Sequence, residues 1–260
     1  MNVRRTLTVA TMHARDLSRR RLALGILVLL PLVFYFTFEL QPVDPAIEQA
    51  FAGDPERLVE AELWIVASAT VGAGWAVAVA ALFVILGARR VDQSLLLAGF
   101  RSTELLAGRV VTVLGLAAVI TPLFAVVIWS QRDIELGALI GSTALSLLIA
   151  VAIGVVAAAL VPREMEGVLV IIGVVGIQMS GDPQSWMPLW GSGQLLQRAS
   201  GLSDVAATGT AVAHSLIFTV GLLVVGGALW ARRVRLRTPA RVLPLGHTTA
   251  AQPTPVRRSA

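Results

Sequence analysis

Six apolar runs, each free of charged side chains, alternate with short polar segments along this chain: 22–38, 63–88, 110–131, 136–162, 167–181 and 209–231. A helix rises about 1.5 Å per residue, so a hydrocarbon core of about 30 Å takes roughly 20 residues, and most of the runs reach that length. Inside lipid every backbone N–H and C=O must be satisfied locally, which a helix does. The pattern predicts an all-α, polytopic integral membrane protein with six transmembrane helices over 22–231. The fifth run is the exception in length: 168–179 gives only about 18 Å of helix.

The polar segments carry patterns of their own. In residues 1–21, Val3, Leu7, Ala10, Ala14 and Leu17 recur at spacings of four and three while Arg4, Thr8, Arg15 and Arg19 line another face. That predicts an N-terminal amphipathic helix lying in the interface as an elbow before the first span. The first span is expected to be retained: Ala50-Phe51-Ala52 fits a cleavage pattern but lies far beyond Phe38, behind an acidic linker. Residues 88–109 are too charged to span and too apolar for a solvated linker. They predict two short helices with a bend at Gly99, the second capped by Ser102 or Thr103. After the short fifth run, residues 182–204 bring Trp186, Trp190, Leu195 and Leu196, which suits a re-entrant or interfacial segment. The tail, 232–260, is rich in Arg, Pro and Thr and predicts a basic, disordered end.

Charge sets the orientation. All positive side chains other than histidine are arginine, 21 in total, and all but Arg57, Arg132 and Arg198 fall on one side if the N-terminus is cytoplasmic. The acidic residues Glu39, Asp44, Glu48, Asp54, Glu56, Glu60 and Glu62 gather in the first outer loop. Both termini are therefore expected in the cytoplasm, in a bacterial cytoplasmic (plasma) membrane. With 56% hydrophobic and 14% charged residues, the net charge of +5 reflects membrane boundaries, and no nucleic-acid partner is expected. There is no cysteine, hence neither disulfide nor thiolate metal site.

Chemistry inside the runs is mild. The absence of Asp, Glu, Lys and Arg from them argues against an ion-coupled carrier. Gln178, Trp186, Trp190 and His214 are the candidate substrate path, with His214 more readily structural than catalytic for want of an acidic partner. Ser192 in Gly191-Ser192-Gly193, paired with His214, is a weak outline of a serine–histidine dyad in an outer loop. No catalytic residue and no metal site is assigned.

Four stretches together carry a resemblance: ARDLSRRRLALGILVLLPLVFYF with Pro31 in the first run; SLLLAGFRSTELLAGRVV between the second and third; SWMPLWGSGQLLQRAS after the short fifth; and a last run ending in Arg232-Arg233. The layout resembles the membrane (permease) subunit of a type-2 ATP-binding-cassette exporter over nearly the whole chain up to the tail. It departs from the family in offering Asp92-Gln93-Ser94 where an acidic-Gly pair is common, and Gly99-Phe100 where a proline often stands. The resemblance implies ATPase coupling through the inner loop, at Leu95, Leu96, Leu97, Gly99, Phe100, Arg101 and Glu104. A second inner contact is expected at Arg163, Glu164 and Glu166. A P-loop needs a lysine and this chain has none, so it cannot hold that motif and is expected not to be an enzyme itself. ATP and Mg would be held by a separate ATP-binding subunit. The implied partners are two such subunits, a second permease copy in a homodimer or heterodimer, and membrane lipid. The expected activity is export of a hydrophobic or amphipathic substrate: a drug, a lipid or a lipid-linked compound. The alternative is a non-transport membrane anchor or regulatory subunit of a membrane complex.

Overall fold

The computed structural model describes residues 2–19, 25, 29, 31–33, 35–37, 55–87, 89–131, 134–179, 184–200 and 206–237; for 55–65, 68–69, 89–91, 93, 179 and 235–237 the backbone alone is described. Among them are eight helices and no strand: α1 (Val3–Arg19), α2 (Pro55–Gly87), α3 (Arg89–Leu97), α4 (Ser102–Trp129), α5 (Leu136–Leu160), α6 (Glu164–Met179), α7 (Trp190–Ala199) and α8 (Thr208–Arg237). Residues 25, 29, 31–33 and 35–37 of the first run are helical too.

Among the described residues, four helices are long and apolar enough to cross a membrane: α2 over Thr70–Gly87, α4, α5, and α8 over Thr208–Val234. The helix α6 has 16 residues, about 24 Å, and falls short of a bilayer core of about 30 Å. Large apolar side chains point outward along these helices, among them Val119, Leu123 and Val126 on α4, Leu169 and Ile172 on α6, and Ile217, Val220 and Val224 on α8. An apolar exterior of this extent is compatible with a membrane protein and costly in water.

The centre of the bundle is α5, which packs against α2, α4, α6, α7 and α8. Its inner faces are small, so neighbours come close. A Cβ on Gly154 would press on the Ala78 carbonyl and stand 2.8 Å from Ala81 Cβ, while Gly226 of α8 meets Val155 in the same way at 2.9 Å. These contacts also give directions. Gly74 faces Ala150 and Gly154 faces Ala78, so α2 and α5 run parallel. Arg233 of α8 donates to the carbonyls of Ala158, Ala159 and Val161 at 3.1, 3.2 and 2.9 Å, so α8 runs with them. The helices α4 and α6 run back. The ends of α2, α5 and α8 and the starts of α4 and α6 therefore share one end, rich in arginine.

Several expected boundaries move. Helix α2 begins at Pro55, well before the apolar run, because proline at a first helical position gives up only an N–H that lacks an intrahelical partner. The expected second short helix of the inner loop is not separate: it is the first part of α4, which runs unbroken from Ser102 to Trp129. Consequently α4 carries Glu104 and Arg109, both buried, and freedom from charge does not hold for this helix. Helix α8 continues past Ala231 through Arg237, so the first residues of the expected disordered tail are helical; 238–260 lie outside the described residues, as does most of 22–38.

Gly154→Val should separate α2 from α5 and lower stability by about 1–3 kcal/mol, the usual cost of overpacking a tight core. Gly141→Ala, where nothing lies within 4 Å of the new methyl, should be neutral or slightly stabilising. Thermal unfolding of the purified variants in one detergent distinguishes the two.

Candidate functional site

At the arginine-rich end the side chain of Arg109 is fully buried, with 0% exposure. A charge there needs a partner and further hydrogen bonds to offset its desolvation. Arg109 has both. One terminal nitrogen is paired with the buried Asp92 carboxylate of α3. The other faces the Ile85 carbonyl in the last turn of α2 at 3.4 Å, and Nε–H donates to His13 Nε2 of α1 at 3.4 Å. The guanidinium lies over the Trp230 ring of α8, 5.4 Å from its centroid. One side chain of α4 thus touches α1, α2, α3 and α8. Burial, and then the neighbouring Arg109 charge, hold the His13 ring below its ordinary pKa; Asp16 acts the other way.

A second set of contacts fastens the turn between α3 and α4 to α1. Helix α3 closes with Phe100 N–H on the Leu95 carbonyl and Gly99 N–H on the Leu96 carbonyl, both 3.0 Å, the paired bonds of a Schellman end. That turn needs φ of 85° at Gly99, which a side chain would strain. Arg5 of α1 donates to the Gly99 carbonyl at 2.8 Å and lies over the Phe100 ring. Glu104 is only 2% exposed and accepts from Asn2 N–H at 2.8 Å and Arg101 N–H at 3.1 Å. Farther along, Thr112 donates to the Ala10 carbonyl at 3.1 Å, and Gly108 leaves room for Val9, whose side chain a Cβ would meet at 2.7 Å.

The loop residues expected to couple to a partner therefore divide. Leu95 and Leu96 are half-buried, whereas Leu97 is 90% exposed at the tip and anchors nothing. Arg101 is exposed, but Glu104 does not present its charge: its carboxylate turns inward to close the first turn of α4. The helix cap is Arg101 with Glu104 reaching back, not Ser102 or Thr103, which lie inside the first turn. Arg163 and Glu164 are exposed, and Arg163 pairs with Glu166 at 3.6 Å across an open surface, where such a pair contributes little.

The opposite end gathers three of the four candidate path residues around the segment before α7. His214 Nε2 is hydrogen-bonded to the Ser185 carbonyl at 2.8 Å, and its ring contacts Trp190 and Phe218 at centroid distances of 4.9 and 4.6 Å. Gln178 Oε1 accepts from Leu189 N–H at 2.9 Å. Trp186 stands apart, 65% exposed. Ser192 is buried and donates to the Leu189 carbonyl at 2.9 Å rather than to His214, so the two do not form a dyad. Ser142 of α5 donates to the Ser192 carbonyl at 2.7 Å, and Gly191 lies against the Ala211 carbonyl of α8. These contacts fix α7 to α5 and α8 and leave no nucleophile activated. Among the described residues no cluster of His, Asp and Glu could hold a metal ion.

What the sequence reading missed is the arginine-rich junction. Arg109 counted there only as an inner-side charge, Asp92 only as a departure from a family pattern, and His13 not at all. The available signal was an acid among arginines at 89–92, followed by an arginine at the edge of an apolar run.

Asp92→Ala should strand the Arg109 charge in the core and lower stability by about 3–5 kcal/mol, while the double change Asp92→Leu with Arg109→Met should recover most of that. Thermal unfolding of the single and double variants in detergent measures the difference.

No family model matches this sequence, and no curated protein matches it either.

Proposed function

We propose that this chain is the membrane subunit of an ATP-driven exporter of the type-2 ATP-binding-cassette kind, moving a hydrophobic or amphipathic substrate with ATP hydrolysed by separate subunits. Six spans make up its membrane domain, the run 22–38 and the short α6 joining the four long helices. Its N- and C-termini face the cytoplasm, α1 lies along the inner interface, and a second permease copy completes the pathway. The observation that carries this reading is the helix–turn element 89–101. Its tip offers Leu97 and Arg101 to solvent, while its base is held to α1, α2, α4 and α8 by Arg109 through Asp92. An exposed tip on a braced base suits a part that receives force from a docked partner and passes it to several helices at once. The apolar outward surfaces support a lipid-facing bundle.

Leu97→Asp and Arg101→Glu alter only exposed side chains, so the folded bundle should persist while co-purification of an ATP-binding subunit with the intact chain falls several-fold. The arginine variant should respond more to salt, since exposed charge is screened within about 10 Å at ordinary ionic strength. Unchanged co-purification and transport in both variants would remove this element from coupling. Absence of any ATP-binding subunit with the parent protein would favour the anchor instead.

Orientation is open to a separate test because the chain has no native cysteine. A cysteine at the exposed Gln131 should react with an impermeant thiol reagent on intact cells, and one at the exposed Ala98 only after lysis. The reverse pattern would invert the topology.

A further inference from the structure

His13 has a position that its local sequence does not explain. It is the point at which α1 touches the buried Arg109, and the bond runs in one sense only: Arg109 Nε–H donates and His13 Nε2 accepts, at 3.4 Å. A guanidinium has no lone pair to give back. The bond therefore requires a ring unprotonated at Nε2. Adding a proton there replaces an acceptor by a donor and sets imidazolium against guanidinium, with Arg109 unable to move away because Asp92, the Ile85 carbonyl and the Trp230 ring hold it.

We propose that His13 is a proton-operated latch between α1 and the bundle: unprotonated it holds α1 on α4 through Arg109, and protonated it is expelled and loosens α1 together with the α3–α4 turn that α1 carries. The route to the turn is on the same helix. Arg5 and Asn2, near the start of α1, hold the Gly99 carbonyl and the Glu104 carboxylate. Loosening α1 thus reaches Leu97 and Arg101 at the exposed tip without any change in α3 itself.

From α4 the His13 ring faces Arg109, and behind that, on α3, Asp92, whose charge is engaged by the same guanidinium. On α1 itself Asp16 lies three residues along and favours the protonated ring. The other buried charge of α4, Glu104, is occupied by Asn2 and Arg101. From α8 the junction receives the neutral Trp230 ring, and Arg233, one turn on, is held by the carbonyls at the end of α5. The sign follows. Because burial and Arg109 lower the His13 pKa in the docked state, the stability of docking is fully present above the free histidine value of about 6.5. It is lost as pH falls from there through the lowered value.

The measurement uses the full chain in lipid nanodiscs with spin labels on cysteines at Thr8 of α1 and Thr103 of α4, both exposed. In the parent, the label–label distance should be single at about pH 7.5, and a longer-distance population should grow several-fold by about pH 5. His13→Gln, whose amide oxygen can still accept from Arg109, should hold the short distance at both pH values. His13→Lys, a permanent cation, should show the long distance at both. A parent distance that does not move with pH overturns the proposal, and so does an equal shift in the parent and the His13→Gln variant. Neither outcome depends on the exporter reading, because the distance is read without a partner or substrate.

Discussion

Arg109 keeps a full positive charge inside the bundle at the place where α1, α2, α3 and α8 converge on α4. Removing a guanidinium from water costs several kcal/mol, offset only when counter-charge, carbonyl and ring are all in position. With the His13 ring of α1, those partners come from four different helices, so the ion is satisfied only in the assembled state. The short α3, with nine residues, has little apolar surface of its own to bury. Asp92 helps dock it onto the bundle, while Gly99 and Arg5 fix the exposed turn beyond it.

The two ends of the molecule are built differently. At the arginine-rich end the contacts are ionic and run through long side chains, while at the other they are short hydrogen bonds and close backbone approaches, such as Ser142 on the Ser192 carbonyl and Gly191 on the Ala211 carbonyl. Between them α5 is buried along most of its length and packed by small residues. A close-packed rod of this kind transmits displacement rather than absorbing it.

Much of the architecture was legible because apolar length is a local property. The runs at 110–131, 136–162 and 209–231 mark α4, α5 and α8, and the bend at Gly99 follows from one glycine between two leucine-rich turns. The short fifth run corresponds to α6. Helix ends were less legible. Nothing in ARRVDQSLLLAGFRSTELLAGR says that the second leucine pair belongs to a 28-residue helix rather than a short one, since Arg109, at the end of that stretch, is accommodated in the helix only by partners from other helices. The junction was hidden for the same reason: residues 13, 85, 92, 109 and 230 share no periodicity and meet only in the folded chain. Of the far-end residues, His214, Trp190 and Gln178 stood out as polar or aromatic groups in apolar surroundings, but no pattern distinguished them from the exposed Trp186.

The parallel course of α2, α5 and α8 has an electrostatic consequence. Each helix ends in carbonyls without intrahelical donors and in the negative pole of its macrodipole, so three parallel helices stack three such poles at one end. Arg109 reaches a carbonyl in the last turn of α2, and Arg233 takes three at the end of α5. These arginines would be needed there whichever side of the membrane that end faced. The charge bias that reads as a translocation signal is thus partly the chemistry of helix termini. An attempt to invert the topology by moving arginines should leave Arg109 and Arg233 in place, because displacing them removes the donors on which two helices close.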